Sequence, residues 1–168
     1  ESKYEGEEHC HAFADSGRLE TVVLRYFNVF GPGQDPDSPY SAVIPKFITL
    51  MMTDRPPTIF GDGLQSRDFT YVENVVAANL LAATAAGVSG QSINIANGRS
   101  ISLLELVRLL SDFLGKIVEP EFADPRAGDI LHSRANISKA TSLLAYVPEV
   151  SIEAGLKLTV DSFLSTTS

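Results

Sequence analysis

The sequence predicts an α/β protein built on parallel strands. Three observations carry this. A helix-like stretch at 2–16 breaks at Ser16-Gly17 and leads into the apolar run Val22-Val23-Leu24; a helix followed by a buried strand is half of a βαβ unit. Short β-branched runs recur between helical segments, as in "PPTIFGDG", "QSINIAN" and "VEPEFA". The longest segments, such as "TYVENVVAANLLAAT" and "LLELVRLLSDFL", space their apolar residues for one helix face. The strands are too few for a complete doubly wound sheet.

Taken in order, the first helix should end where Gly17 can adopt a left-handed conformation. The strand in "LETVVLRYFNVFG" closes at Gly31-Pro32-Gly33, and residues 32–41 read as loop. "AVIPKFITLMMTD" is a helix that tolerates Pro45 if it lies in the first turn. Thr70 and Glu73 have the spacing of a capping box for the next helix, and Ser102 and Glu105 repeat it for the helix that stops at Gly115. "PRAGDILHS" is a loop. "ISKATSLLAY" is a short helix with Ser138 as its expected cap, and "SIEAGLKLTVDSFL" is a final amphipathic helix.

Composition narrows the function. The 168 residues suit one domain, and 44% hydrophobic with 20% charged residues is an ordinary globular profile. A net charge of −8 without any basic run argues against nucleic acid or an anionic membrane as partner, so an anionic ligand needs a few placed arginines. The run "VVAANLLAATAAGV" is interrupted by Asn79 and too short to span a bilayer. The single Cys10 precludes an internal disulfide and fits a reducing cytoplasm.

Few residues are placed for chemistry. Arg67, in "GLQSRDFTYVENV", follows a Gly turn and precedes a helix; it suits either a bidentate phosphate contact or a surface ion pair. Arg126 and Asp129, in "DPRAGDILHS", can hold a phosphate and a sugar hydroxyl, or pair with each other. Asn28 ends a buried strand, where open α/β sheets collect ligands, but an asparagine there also forms turns. His9-Cys10-His11 are helix neighbours pointing about 100° apart and cannot share a metal ion. There is no G-x-S-x-G elbow and no G-x-G-x-x-G fingerprint.

Together the segments "SKYEGE", "LRYFNVFGPGQDP", "SPYSAVIPKFI", "IFGDGLQSRDFTYVENVV", "INIANG" and "PRAGDILHS" resemble the C-terminal half of an NAD-dependent nucleotide-sugar epimerase/dehydratase of the extended short-chain dehydrogenase/reductase family. "SPYSAVIPKFI" and "HSRANISKA" lean toward UDP-sugar 4-epimerases, especially those for N-acetylhexosamines. The resemblance implies the last part of a Rossmann-type doubly wound sheet over residues 1–31. Residues 32–168 would be mainly a small α/β sugar-nucleotide-binding domain, with some segments returning to the sheet. It also implies a cytoplasmic enzyme that self-associates, as a homodimer or otherwise, through the helix at 2–16.

By this resemblance Lys3 is the lysine of a Y-x-x-x-K motif whose tyrosine lies just upstream of Glu1, and the chain alone is expected to be inactive. A tyrosine titrates near pH 10 and is a poor base until a cation one turn away favours its phenolate. Lys3 and Tyr26 are expected on the NAD side. Asn28, Arg67 and Arg126 are expected at the UDP-sugar diphosphate, and Asp129 at the uridine ribose. Ala42, Val43 and Phe47 should line the nucleotide pocket, and Thr58 and Phe60 should flank the uracil. Ser133, small where relatives carry a bulky aromatic, leaves space for a 2-acetamido group. Other branches with the same "RDFTYV" core are 4,6-dehydratases and UDP-glucuronate decarboxylases or epimerases; a non-catalytic sugar-nucleotide-binding module is the alternative outside catalysis.

Overall fold

The computed structural model describes residues 2–37 and 43–166. Helix α1 (Ser2–Asp15) is followed by strands β1 (Val22–Tyr26) and β2 (Val29–Phe30), then α2 (Val43–Met52) and β3 (Thr58–Phe60). Strands β4 (Ser66–Arg67) and β5 (Thr70–Tyr71) lead into α3 (Val72–Thr84). After β6 (Gln91–Ile95) and β7 (Ile101–Ser102) come α4 (Leu103–Leu114), β8 (Glu121–Ala123), α5 (Ser138–Leu144) and α6 (Ile152–Thr166).

Among the described residues the strands pair as four ladders. β1 runs parallel to β6, with Val22 opposite Gln91 and Tyr26 opposite Ile95. β2 is parallel to β5 and β3 to β8, while β4 and β7 are antiparallel. Long crossovers through helices explain the parallel pairs. The molecule is α/β and mostly parallel, as the sequence predicts.

Two apolar clusters hold the elements. In one, Ile93 and Ile95 of β6 pack with Ala78 of α3 and with Ala140, Leu144 and Tyr146, while Val22 and Leu24 of β1 lie against them. In the other, Phe30, Ile44, Ile48, Leu106, Leu110 and Leu156 bring together β2, α2, α4 and α6. α1 stands apart: it buries no residue fully, and its Tyr4 and Phe13 are exposed.

Local chemistry accounts for both ends of α4 and the start of α2. Ser102 Oγ accepts from the Glu105 N–H at 3.1 Å, and α4 ends on Gly115 at φ 64°, a backbone conformation that glycine adopts without steric cost. Pro45 falls in the first turn of α2, where its missing N–H is harmless.

Two expected caps are corrected. Thr70 does not cap α3: it lies in β5, one residue too early, and the N-cap is Tyr71, which makes no side-chain capping bond. The parallel pairing of Thr70 with Val29 holds it in the ladder and away from the helix N–H groups. Ser138 does not cap α5 either; it is already the first helical residue, and its N–H donates to Asn136 Oδ1 at 2.9 Å.

Candidate functional site

A cleft of about 420 Å³ opens between α2 and the segment after β8. Val43, Lys46 and Phe47 form its α2 wall, at spacings of three and four residues that put them on one helix face. Thr58 and Phe60 of β3 lie beside them, and Gln65 and Arg67 enter from the β4 side. Arg126 and Asp129 close the cleft from the loop after β8.

The polar groups are already engaged with one another. Arg67 Nη1 donates to the Ser66 carbonyl at 2.9 Å, and its Nη2 donates to Asp129 Oδ1 at 2.6 Å. The ion pair is half-sheltered, with Arg67 19% and Asp129 37% exposed. The Arg126 guanidinium carbon lies 3.8 Å from the centroid of the Phe60 ring, a cation–π stack. Gln65 is buried, and its Nε2 donates to the Phe60 carbonyl at 2.6 Å, which fixes the strand carrying that ring.

Behind the cleft a completely buried carboxylate ties the surrounding segments together. Asp68 Oδ1 accepts from the Asn97 N–H at 3.0 Å, and Oδ2 accepts from the N–H groups of Gly98 and Ala135, both at 3.1 Å. Burial pushes the Asp68 carboxyl above its ordinary value, and the three backbone donors and Arg134 act against that rise. Nearby, Tyr146 donates its hydroxyl to the Ala96 carbonyl at 3.0 Å; burial, with the Asp68 charge, pushes it up to about 12. The segment at 131–133 runs beside β4: Ser66 N–H donates to the Leu131 carbonyl and Ser133 N–H to the Ser66 carbonyl.

Of the residues expected to bind, the cleft thus gathers Val43, Phe47, Thr58, Phe60, Arg67, Arg126 and Asp129. Asn28 and Ser133 are not on its wall among the described residues. Asn28 has φ 38° and donates its side-chain amide to the Asp68 carbonyl at 3.0 Å, so it braces the residue next to Arg67. The internal partner of Asp129 is Arg67 and not Arg126. Lys3 is exposed in the first turn of α1, and Tyr26 donates its hydroxyl to Asn79 Oδ1 at 3.0 Å. Ala42 lies outside the described residues.

Lys46, Gln65 and Asp68 were not singled out by sequence. Lys46 was within reach, since it shares a helix face with Val43 and Phe47; Gln65 and Asp68 required the strand alternation around Arg67 to be known.

The profile of the NAD dependent epimerase/dehydratase family matches residues 1–96, more than half of the chain. The chain belongs to that family. The UDP-glucose 4-epimerase of Thermotoga maritima, solved with UDP-glucose, superposes with a TM-score of 0.92 at 40% identity, covering 99% of this chain and 53% of that one. The UDP-N-acetylglucosamine 4-epimerase of Methanobrevibacter ruminantium, solved with UDP-N-acetylmuramic acid, gives 0.90 at 42% identity, covering 98% and 52%. The UDP-glucuronate 4-epimerase of Thermodesulfobacterium geofontis is 37% identical over 144 residues, 85% of this chain and 43% of its own length. The chain spans about half the length of the epimerase-family relatives it matches.

Proposed function

We propose that this chain is the sugar-nucleotide-binding part of an NAD-dependent UDP-hexose or UDP-N-acetylhexosamine 4-epimerase. The observation that carries the reading is the convergence of Arg67 and Arg126 on one cleft with an aromatic ring and an apolar helix face. Two guanidiniums supply the close, directional charge that a diphosphate needs in a protein of net charge −8. Phe60, Val43 and Phe47 offer apolar walls for a flat pyrimidine, and Thr58 a polar edge. Asp129, once released from Arg67, can accept from a ribose hydroxyl.

NAD, when bound, supplies the hydride acceptor and donor for inversion at the sugar C4. The residues here fit a minor share of its site. Lys3 is exposed and makes no ion pair or hydrogen bond among the described residues, which leaves its ammonium free for ribose hydroxyls. Tyr26 is 48% exposed, with its hydroxyl engaged and its ring available for packing. Asn28 acts on the site by holding the Asp68 backbone, and through it the course of the chain beyond Arg67.

Calorimetry with UDP tests the cleft. The 168-residue chain should bind UDP, and Arg67→Ala and Arg126→Ala should each weaken binding by about tenfold or more, the cost of a charge-assisted hydrogen bond. Wild-type affinity in both variants would overturn the reading. The chain alone should not turn over UDP-sugars. For the sugar, the small Ser133 supports a 2-acetamido substrate; the full-length enzyme offered UDP-glucose, UDP-N-acetylglucosamine and UDP-glucuronate in parallel should epimerise the N-acetylated sugar.

A further inference from the structure

The cleft holds three cations, and two of them are occupied. Arg67 is tied to Asp129 and to the Ser66 carbonyl. Arg126 lies on the Phe60 ring, the surface a base would stack against. A dianionic ligand approaching a protein of net charge −8 therefore meets one guanidinium already neutralised and another covering the aromatic face. Lys46 is different. It is exposed on the α2 wall of the same cleft and has no ion pair or hydrogen bond among the described residues.

The geometry points to Lys46 as the capture residue of the cleft, the cation that takes the diphosphate of an arriving nucleotide sugar while Arg67 and Arg126 are still held by Asp129 and Phe60. This rests on the reading of the cleft as a nucleotide-sugar site and adds a residue and an order of events to it.

The chemistry of the side chains supports that division of labour. A lysine ammonium is a strongly hydrated point charge on a flexible four-carbon stem; it attracts at a distance and tolerates many geometries. An arginine fork is directional and suits the final bidentate contact. A diphosphate held by Lys46 can then exchange for the Asp129 carboxylate on Arg67, one anion replacing another, so Arg67 is never left without a counter-charge in its half-sheltered position. Asp129 is set free by the same exchange, at the moment a ribose hydroxyl arrives.

The test is stopped-flow and calorimetric binding of inorganic pyrophosphate and UDP to the 168-residue chain as wild type, Lys46→Gln, Asp129→Asn and the double variant. Pyrophosphate has no ribose, so any contact of Asp129 with the sugar drops out. Lys46 is exposed, and its replacement leaves the α2 core face intact. At low ionic strength Lys46→Gln should slow pyrophosphate association by roughly two- to tenfold, and the effect should fade as salt shortens the reach of the charge. In the Asp129→Asn background, where Arg67 has lost its internal counter-ion, the loss should shrink to less than half. Failure of the wild type to bind UDP overturns the nucleotide-sugar reading and this inference with it. If UDP binds but Lys46→Gln associates at the wild-type rate, or the loss is equal in both backgrounds, this inference alone is overturned.

Discussion

Replacing Asp68 by asparagine changes almost no volume yet should be costly, because three backbone donors converge on this side chain. An amide has one oxygen. Turned to keep the Gly98 and Ala135 bonds, it sets its own NH2 against the Asn97 N–H at the 3.0 Å position of Oδ1; turned the other way, it loses both of the others. At least one partly buried N–H is orphaned, at about 1–3 kcal/mol, and the retained bonds lose their charge assistance. The sum is about 2–4 kcal/mol, or roughly 5–15 °C in Tm for a chain of this size. Protonation is a milder change than amidation, since a carboxylic acid can still accept on both oxygens. Consistent with that, burial raises the Asp68 pKa despite its three donors. With the folded value above the unfolded one, the stability linked to Asp68 is fully present below the unfolded pKa and declines as pH rises through the folded pKa. Urea titrations of wild type and Asp68→Asn across that window should show the gap narrowing toward neutral pH. A variant within about 0.5 kcal/mol of wild type at every pH would refute the account of Asp68 as the pin behind the cleft, since surface-like substitutions fall in that range.

Gly155→Ala should destabilise although it sits in α6: alanine gains about 1 kcal/mol of helix propensity, but its Cβ would lie 2.8–2.9 Å from Tyr71, which is buried and packed edge-on against Phe30, and overpacking of that kind costs about 1–3 kcal/mol; a raised urea midpoint would contradict this. Ser102→Ala removes the cap of α4 and should cost about 1 kcal/mol, read by the same titration. Glu153 is held below the usual carboxylate range chiefly by its own backbone N–H at the start of α6, then by Ser151 and Arg99, so the stability it contributes is present above the unfolded pKa and lost as pH falls through the folded one. Glu153→Gln should therefore lie below wild type at pH 7, and the difference should close on acidification.

Regular elements were legible because each satisfies a local rule. The Ser102–Glu105 spacing and Gly115 fix both ends of α4, and the apolar run at 22–24 marks β1. The same rule failed at Thr70 and Glu73, where the spacing is right but tertiary pairing with Val29 claims the threonine for a ladder. The strands that escaped sequence reading are two residues long, too short to show any period; β4 and β7 are defined by tertiary pairing, with each other and, for Ser66, with His132.

The cleft residues divide along the same line. "QSRD" reads only as the stretch between a Gly turn and a helix, with no sense of which side chains share a side. In the structure the segment through β4 alternates: Gln65 and Arg67 enter the cleft, while Ser66 pairs with the 131–133 segment and Asp68 turns into the core to hold three backbone N–H groups. One short extended stretch therefore supplies both the ligand-facing guanidinium and the anchor that sets its height against the loop carrying Arg126 and Asp129. That coupling also explains Asn28. The resemblance puts an asparagine at this strand end on the ligand; in the structure one of its amide N–H groups donates to the Asp68 carbonyl. That bond gives Asn28 an influence on the cleft through the backbone beside Arg67, so Asn28→Ala should loosen that strand, with a fall in stability accompanying the loss of UDP affinity.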